Sequence, residues 1–355
     1  MKPTHLFLTL IAIPALLAFR AEAGKASGTL DIYWIDSEGG GSTLIVTPND
    51  ESILIDSGNP GGRDPGRIHA VATHEGKLHQ IDHLITTHMH VDHFGGAAEL
   101  AALMPIRHIY DNGVPASDPD GNKADTRWPL IIRPYREIPV EKRVVVAPGL
   151  EVPLRPVAGG PSLRLRCIGG RQHFLPAPAG SPRSPACTDA PRKEVDTSDN
   201  ANSTVWVLEY GGFRFFDGGD LTWNVEQELV CPENRIGTVD VYQVNHHGLD
   251  ISNNPLLIRG LAPTIAVMNN GPRKGTAGPV LSALRGTPSI QGVFQVHKNV
   301  REGEGANNAP DECIANLDEK CQGRHLHLSL AHDAARYTIE NPSTGKTWSY
   351  TTQKR

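Results

Sequence analysis

Three histidines and an aspartate fall within six residues in the run Thr87-His88-Met89-His90-Val91-Asp92-His93-Phe94-Gly95-Gly96. Imidazole and carboxylate are the donors that hold Zn²⁺, Mn²⁺ or Fe²⁺ at about 2.0–2.2 Å. In extended chain, side chains two apart share a face, so His88 and His90 can grip one ion together. Asp92 and His93, on the turn that follows, then face a second position. Gly95-Gly96 lets the backbone pass close to the ions and open a helix. A casual histidine tract explains neither Asp92 nor the location of the run between an apolar strand and a helix. Two divalent ions so held lower the pKa of water from about 15.7 to about 7, and the resulting hydroxide attacks a phosphorus or carbonyl centre. Hydrolysis is the chemistry to expect.

The flanking elements must deliver that run to a point. Strand-like stretches at Thr29 to Ile35, Ser42 to Thr47 and Ser52 to Ile55 are separated by Gly39-Gly40-Gly41 and Pro48-Asn49-Asp50. A helix from Arg67 to His74, a buried strand from Ile81 to Thr86, a helix from Ala97 to Met104 and a strand from Arg107 to Tyr110 follow. From about 111 to 200 the pattern is lost, and Pro176, Pro178, Pro182, Pro185 and Pro191 mark an irregular insert. Alternation resumes at Ser203 to Tyr210 and Arg214 to Phe216, then a helix at Trp223 to Val230 and a strand at Val239 to Val244. Thr264 to Met268, Val280 to Leu284 and Val293 to Gln295 continue it, and three strands at Leu326 to Leu330, Arg336 to Glu340 and Thr347 to Thr351 close the chain. Alternating strands and helices argue for a layered α/β fold. The halves before 111 and after 200 have the makings of a pseudo-symmetric pair.

Composition narrows the function. With 355 residues, 39% apolar and 21% charged, the chain can bury a full core. Its formal charge of −5 gives no strong nucleic-acid signature. Between Arg127 and Lys193, however, twelve Lys or Arg face four Asp or Glu, which reads either as a solvated loop or as an electropositive rim that draws an anionic substrate. Lys2, the apolar run Leu6 to Phe19 and Ala21-Glu22-Ala23 read as an export signal over residues 1–23, so a periplasmic or extracellular protein is expected, with no membrane span after cleavage. Five cysteines remain, and sequence proximity suggests Cys313–Cys321 and Cys167–Cys187, leaving Cys231.

The order His-x-His-x-Asp-His resembles the signature of the metallo-β-lactamase superfamily. Its other landmarks follow in order. Ile53-Leu54-Ile55-Asp56-Ser57-Gly58 is similar to the early strand whose Asp orients the metal loop. Phe216-Asp217-Gly218-Gly219-Asp220 is similar to the strand ending in Gly-Asp, whose Asp bridges two metals, and Asn245-His246-His247-Gly248 to the late histidine motif. Asn202-Ser203-Thr204 before Tyr210-Gly211, with the double histidine, resembles the branch of DNA-uptake competence proteins and teichoic-acid phosphorylcholine esterase.

The resemblance implies a four-layer αββα sandwich at 24–300, with the Pro-rich insert and a C-terminal β extension at 301–355 packed on the same domain. It implies two divalent ions, zinc first, with manganese or iron as alternatives. The expected metal ligands are His88, His90, Asp92, His93, Asp220 and His247, with Asp92 and His246 catalytic and Asp56, Asn202 and Ser203 behind them. Three assignments stay open: His246 and His247 can exchange roles, Asp220 can instead cap the helix at Trp223, and Asp217 is the weaker carboxylate. The third histidine that many members give the first metal has no counterpart here except His173, in the insert. His297 ends a strand and can reach the same rim. The substrate expected is a small-molecule or polymer ester, first a phosphodiester, with lactam or lactone hydrolysis and iron-dependent oxygen chemistry as alternatives. The oligomeric state stays open.

Overall fold

The computed structural model describes residues 24–122 and 127–355, so the expected export signal at 1–23 lies outside the described residues. Strands β1 (Leu30–Trp34), β2 (Thr43–Val46), β3 (Ser52–Ile55), β4 (Ile81–Ile85), β5 (Ile106–Asp111) and β6 (Lys142–Val145) form the body of one sheet. The other contains β7 (Glu151–Val152), β8 (Leu163–Gly170), β9 (His173–Phe174), β10 (Val205–Tyr210), β11 (Phe213–Asp217), β12 (Val241–Gln243), β13 (Ile265–Met268), β14 (Gly292–His297) and β15 (Ile314–Asn316). Then β16 (Leu326–Leu330), β17 (Arg336–Asn341) and β18 (Lys346–Thr351) return to the first sheet, where β16 lies antiparallel to β1. Helices α1 (Arg63–His74), α2 (Val91–Phe94), α3 (Ala97–Leu103) and α4 (Trp128–Arg136) pack on the first sheet; α5 (Trp223–Val230), α6 (Pro255–Leu261) and α7 (Gly278–Arg285) pack on the second.

The two-residue period of the strands makes this a sandwich. Ile53 and Ile55 face the opposing sheet and meet Trp206, Leu208, Phe213 and Phe215, whereas Leu54 between them faces Ile68 and Leu100 of the outer helices. Strands buried on both faces must be apolar throughout, as β1 and β3 are. The result is the expected α/β four-layer order. Each half repeats one plan: β3 to β6 run parallel with α1, α3 and α4 in the crossovers, and β11 to β14 run parallel with α5, α6 and α7.

Two local expectations need correction. The stretch 111–200 is irregular mainly from Leu175 to Ser198; upstream it supplies α4 and four strands, of which β8 is a full member of the second sheet. Its Leu-Arg-Leu-Arg alternation is a strand pattern overshadowed by the Pro and Gly around it. The cysteines pair differently too. Cys187 joins Cys231, while Cys167, Cys313 and Cys321 are free. Cys167 and Cys313 belong to the core between the sheets, and Cα geometry rather than sequence proximity decides pairing.

The Cys187–Cys231 bond ties the Pro-rich loop to the end of α5 across a sequence separation of 44. Closing such a loop is worth about 2–4 kcal/mol. Each fully buried Leu, Ile or Phe contributes about 1.5–3 kcal/mol, so the core outweighs one bond many times over. Cys187→Ser should therefore fold but lose about 2–4 kcal/mol in a denaturant titration, a loss that reductant reproduces in the unaltered protein.

Candidate metal centre

The donors sit at the C-terminal ends of parallel strands, where such sheets leave a crevice. β3 delivers Asp56, β4 the run Thr87 to His93, β11 the turn Asp217 to Asp220, and β12 the pair His246-His247. After β3 the chain turns sharply, with Asp56 at φ 61°. The Asp56 carboxylate then accepts the Thr87 amide at 2.8 Å and the Thr87 hydroxyl at 2.8 Å, so the loop that carries the first histidines is pinned. After β12, His246 and His247 both lie in the left-handed region, with φ 51° and 55°. Neighbours on a strand face opposite ways; this turn brings both rings to one side.

Asp220 is the hub. Its Oδ2 lies 3.2 Å from Nε2 of His93, 3.3 Å from Nε2 of His246 and 3.3 Å from Nε2 of His247. Asp92 Oδ2 stands 3.5 Å from the same atoms of His93 and His247. The donor atoms of Asp92, His93, Asp220 and His247 all fall within 4.8 Å of one another. The His88 ring centroid is 4.1 Å from that of His93 and 4.6 Å from that of His90. Capping does not occupy Asp220, because Thr222 is the N-cap of α5.

The opposite ring nitrogen of each histidine is engaged elsewhere. His93 Nδ1 lies 2.7 Å from Asp56 Oδ2, His247 Nδ1 lies 2.9 Å from the Asn269 carbonyl, and His246 Nδ1 lies 3.1 Å from Ser252 Oγ. His88 Nδ1 is 3.1 Å from Thr87 Oγ1, and His90 Nε2 is 2.9 Å from Asp120 Oδ1. Such outer partners fix which nitrogen offers its lone pair. The inward contacts lack hydrogen-bond alignment, so Nε2 of His88, His93 and His247 are buried without a hydrogen-bond partner. Orphaned buried nitrogens cost free energy unless something accepts their lone pairs. A divalent cation fits that requirement, and these residues fit a cation.

Charge has the same form. Burial disfavours ionised Asp220, yet His246, His247 and His93 hold its carboxyl well below the usual range. Burial likewise opposes protonation of His93, but Asp220, Asp56 and Asp92 raise it well above an ordinary imidazole. His88 goes the other way: burial, then the neighbouring His93, keeps it neutral, as a ligand must be. Burial also pushes His246 down to about 4 and Asp217 up to about 7. Asp217 Oδ1 accepts the Gly219 amide and stands outside the donor group. A narrow cleft among the donors is lined by Asp56, His93, Asp217, Asp220, His246 and His247.

The remaining expected residues fall at greater distance. Ser203 Oγ accepts the Asp220 amide at 3.2 Å. Asn202 is one layer back: its carbonyl accepts from Asn112, and its amide donates to Asp199, whose other oxygen accepts the Met89 amide. His173 is exposed on β9 and takes no part. His297 does not reach this rim but is buried against Asp36. Within the basic insert, Arg133, Arg143, Arg155 and Arg164 pair with Glu137, Asp111, Glu51 and Glu151.

Sequence reasoning missed several members. Lys274 places its ammonium 2.5 Å from Asp92 Oδ2, bringing a cation to the site from the loop after β13. Buried Glu226 accepts from Asn245 Nδ2 at 2.6 Å and from the amides of Asn253 and Asn254, clamping the loop that presents the histidine pair. Asp120 sits in a turn whose composition signals only a turn. A signal existed for Glu226 alone, as an acidic residue on the inner face of an amphipathic helix.

Close packing makes Gly41 a test of the outer partners. A Cβ there would lie 2.8 Å from both Asp56 Oδ2 and His93 Nδ1. Gly41→Ala should force this pair apart and weaken metal affinity about 10–100-fold, measured by chelator competition.

The family model described as the metallo-beta-lactamase superfamily matches residues 36–165, which span Asp56 and the histidine run. Over those residues the chain is similar to that superfamily. Asp220 and the histidine pair lie beyond the matched residues, and the fold brings them to the same place. No curated protein matches the chain. Among solved structures, it is similar to a metallo hydrolase from the archaeon Ignicoccus hospitalis, at 15% identity over 67% of this chain and 81% of that one, TM-score 0.35. It is also similar to CmlA, a diiron β-hydroxylase from Streptomyces venezuelae, at 16% identity over 67% of this chain and 44% of that one, TM-score 0.37. A metallo-beta-lactamase from Hirschia baltica matches at 17% identity over 51% of this chain and 58% of that one, TM-score 0.27. The chain thus spans about half the length of the hydroxylase and the lactamase, and none of the three assigns it a reaction.

Proposed function

We propose that the chain is an exported metal-dependent hydrolase of phosphodiesters or other anionic esters. One observation carries the reading: three imidazoles from two chain segments converge within 3.3 Å of one carboxylate oxygen of Asp220, with unpartnered ring nitrogens aimed at the same place. His88 and His90 would hold one divalent ion, Asp92, His93 and His247 a second, and Asp220 both. When bound, such ions supply Lewis acidity and make hydroxide available near neutral pH. Asp56 keeps the proton of His93 on Nδ1, and Asn269 does the same for His247, so Nε2 stays a donor in each. His246, anchored by Ser252 at Nδ1 and kept neutral by burial, would offer Nε2 as a hydrogen-bonding group to substrate, while the leaving oxygen takes its proton from solvent. Lys274 offers a counter-charge for an anionic group, which supports a phosphodiester over a neutral lactam. The resemblance to the phosphorylcholine esterase branch supports the same choice. Export is supported by the leader pattern and by the Cys187–Cys231 bond, a feature of oxidising compartments.

Treatment with a chelator should abolish hydrolysis of bis(p-nitrophenyl) phosphate, and Zn²⁺ or Mn²⁺ should restore it. Faster cleavage of a lactam or lactone than of the diester overturns the substrate assignment. Oxygen consumption by an iron-loaded protein that hydrolyses neither overturns the hydrolase assignment.

A further inference from the structure

A second group of metal donors lies apart from the centre just described. Asp36, just beyond β1, and His297, at the end of β14, are both fully buried, and Cys321 reaches them from the loop between β15 and β16. His297 Nε2 is 2.9 Å from Asp36 Oδ1, Cys321 Sγ is 3.3 Å from Asp36 Oδ2, and Sγ is 3.7 Å from Nε2. Thiolate, imidazole and carboxylate are the three donor types zinc prefers. With Zn–S of about 2.3 Å and Zn–N or Zn–O of about 2.0–2.1 Å, the edges of a tetrahedral site measure about 3.3–3.6 Å. The Sγ–Oδ2 and Sγ–Nε2 edges are already near those lengths, His297 Nε2 meets the other carboxylate oxygen, and one donor atom from each of the three residues lies within 4.8 Å of the others.

We propose that Asp36, His297 and Cys321 form a mononuclear zinc-type site, separate from the Asp220 centre and independent of how that centre is read. The surroundings agree in charge. A thiolate and a carboxylate neutralise one divalent ion, while Arg67, 3.0 Å from Asp36 Oδ2, has its own counter-ion in Glu38 at 3.1 Å. The Gly323 amide donates to Cys321 Sγ at 3.4 Å, as amides do to ligating sulfurs. An ion here ties the end of β1 to the end of β14 and to the loop that leads into β16. From Asp36 the chain runs directly to Gly41, whose amide donates to the Asp92 carbonyl. The site therefore braces one wall of the catalytic loop.

Cobalt(II) tests this without reference to activity, because the Asp220 centre offers only nitrogen and oxygen donors. The full chain loaded with Co²⁺ should show a thiolate-to-cobalt charge-transfer band in the near ultraviolet and bind one more ion than Cys321→Ser. The band should vanish in Cys321→Ser, weaken in His297→Gln and persist in Asp220→Asn. A cobalt-loaded protein with no such band overturns the proposal, as does a band that survives Cys321→Ser. Because Cys321 is only partly buried, that variant should keep its melting curve when metal-free.

Discussion

Asp220→Asn should lower kcat/KM for a phosphodiester by at least about 10³-fold, equivalent to about 4 kcal/mol of lost transition-state stabilisation. Asparagine keeps the shape of the side chain and removes its charge. Three imidazoles share Oδ2 of this residue, so no neighbour can take over. Both ions would lose the ligand they have in common, and bound metal measured by elemental analysis should fall together with activity. The fold should persist, because the Asp220 amide bond to Ser203 is a backbone interaction that the substitution leaves alone. A variant that lost no bound metal relative to the unaltered protein and kept activity within tenfold would remove Asp220 from the mechanism.

His88→Ala should do something different. His88 is fully buried beside His90 and His93 but does not belong to the four-residue group around Asp92. Its loss should remove one of the two ions of the Asp220 centre and reduce kcat/KM by about 10²–10³-fold. His247→Ala should also remove one ion, from the other position, so the pair of variants separates the two sites. If His88→Ala keeps both ions and full hydrolysis, the dinuclear reading fails.

Much of this was legible in the sequence, for identifiable reasons. Local patterns carry local information: β3, β4 and α5 follow from apolar runs and turn residues, and the histidine run follows from donor spacing. The choice between His246 and His247 was not legible, because it depends on a left-handed turn at both residues that alternation along a strand does not foresee. Lys274 and Asp120 come to the site through loops whose direction is set by tertiary packing. Residues far apart in the chain but joined in space, such as Cys187 and Cys231, are invisible to spacing rules for the same reason.

The antiparallel pairing of Leu30 with Leu330 bears on when this chain can fold. β1 lies between β2 and β16, so the middle of the first sheet stays open on one side until nearly the whole polypeptide exists. Contacts of such long range form late and slowly. Until β16 is available, β1 presents an unpaired apolar edge, which invites aggregation while the chain is incomplete. A molecule with this connectivity emerges from synthesis as an open chain and closes its first sheet only after its last strands have been made.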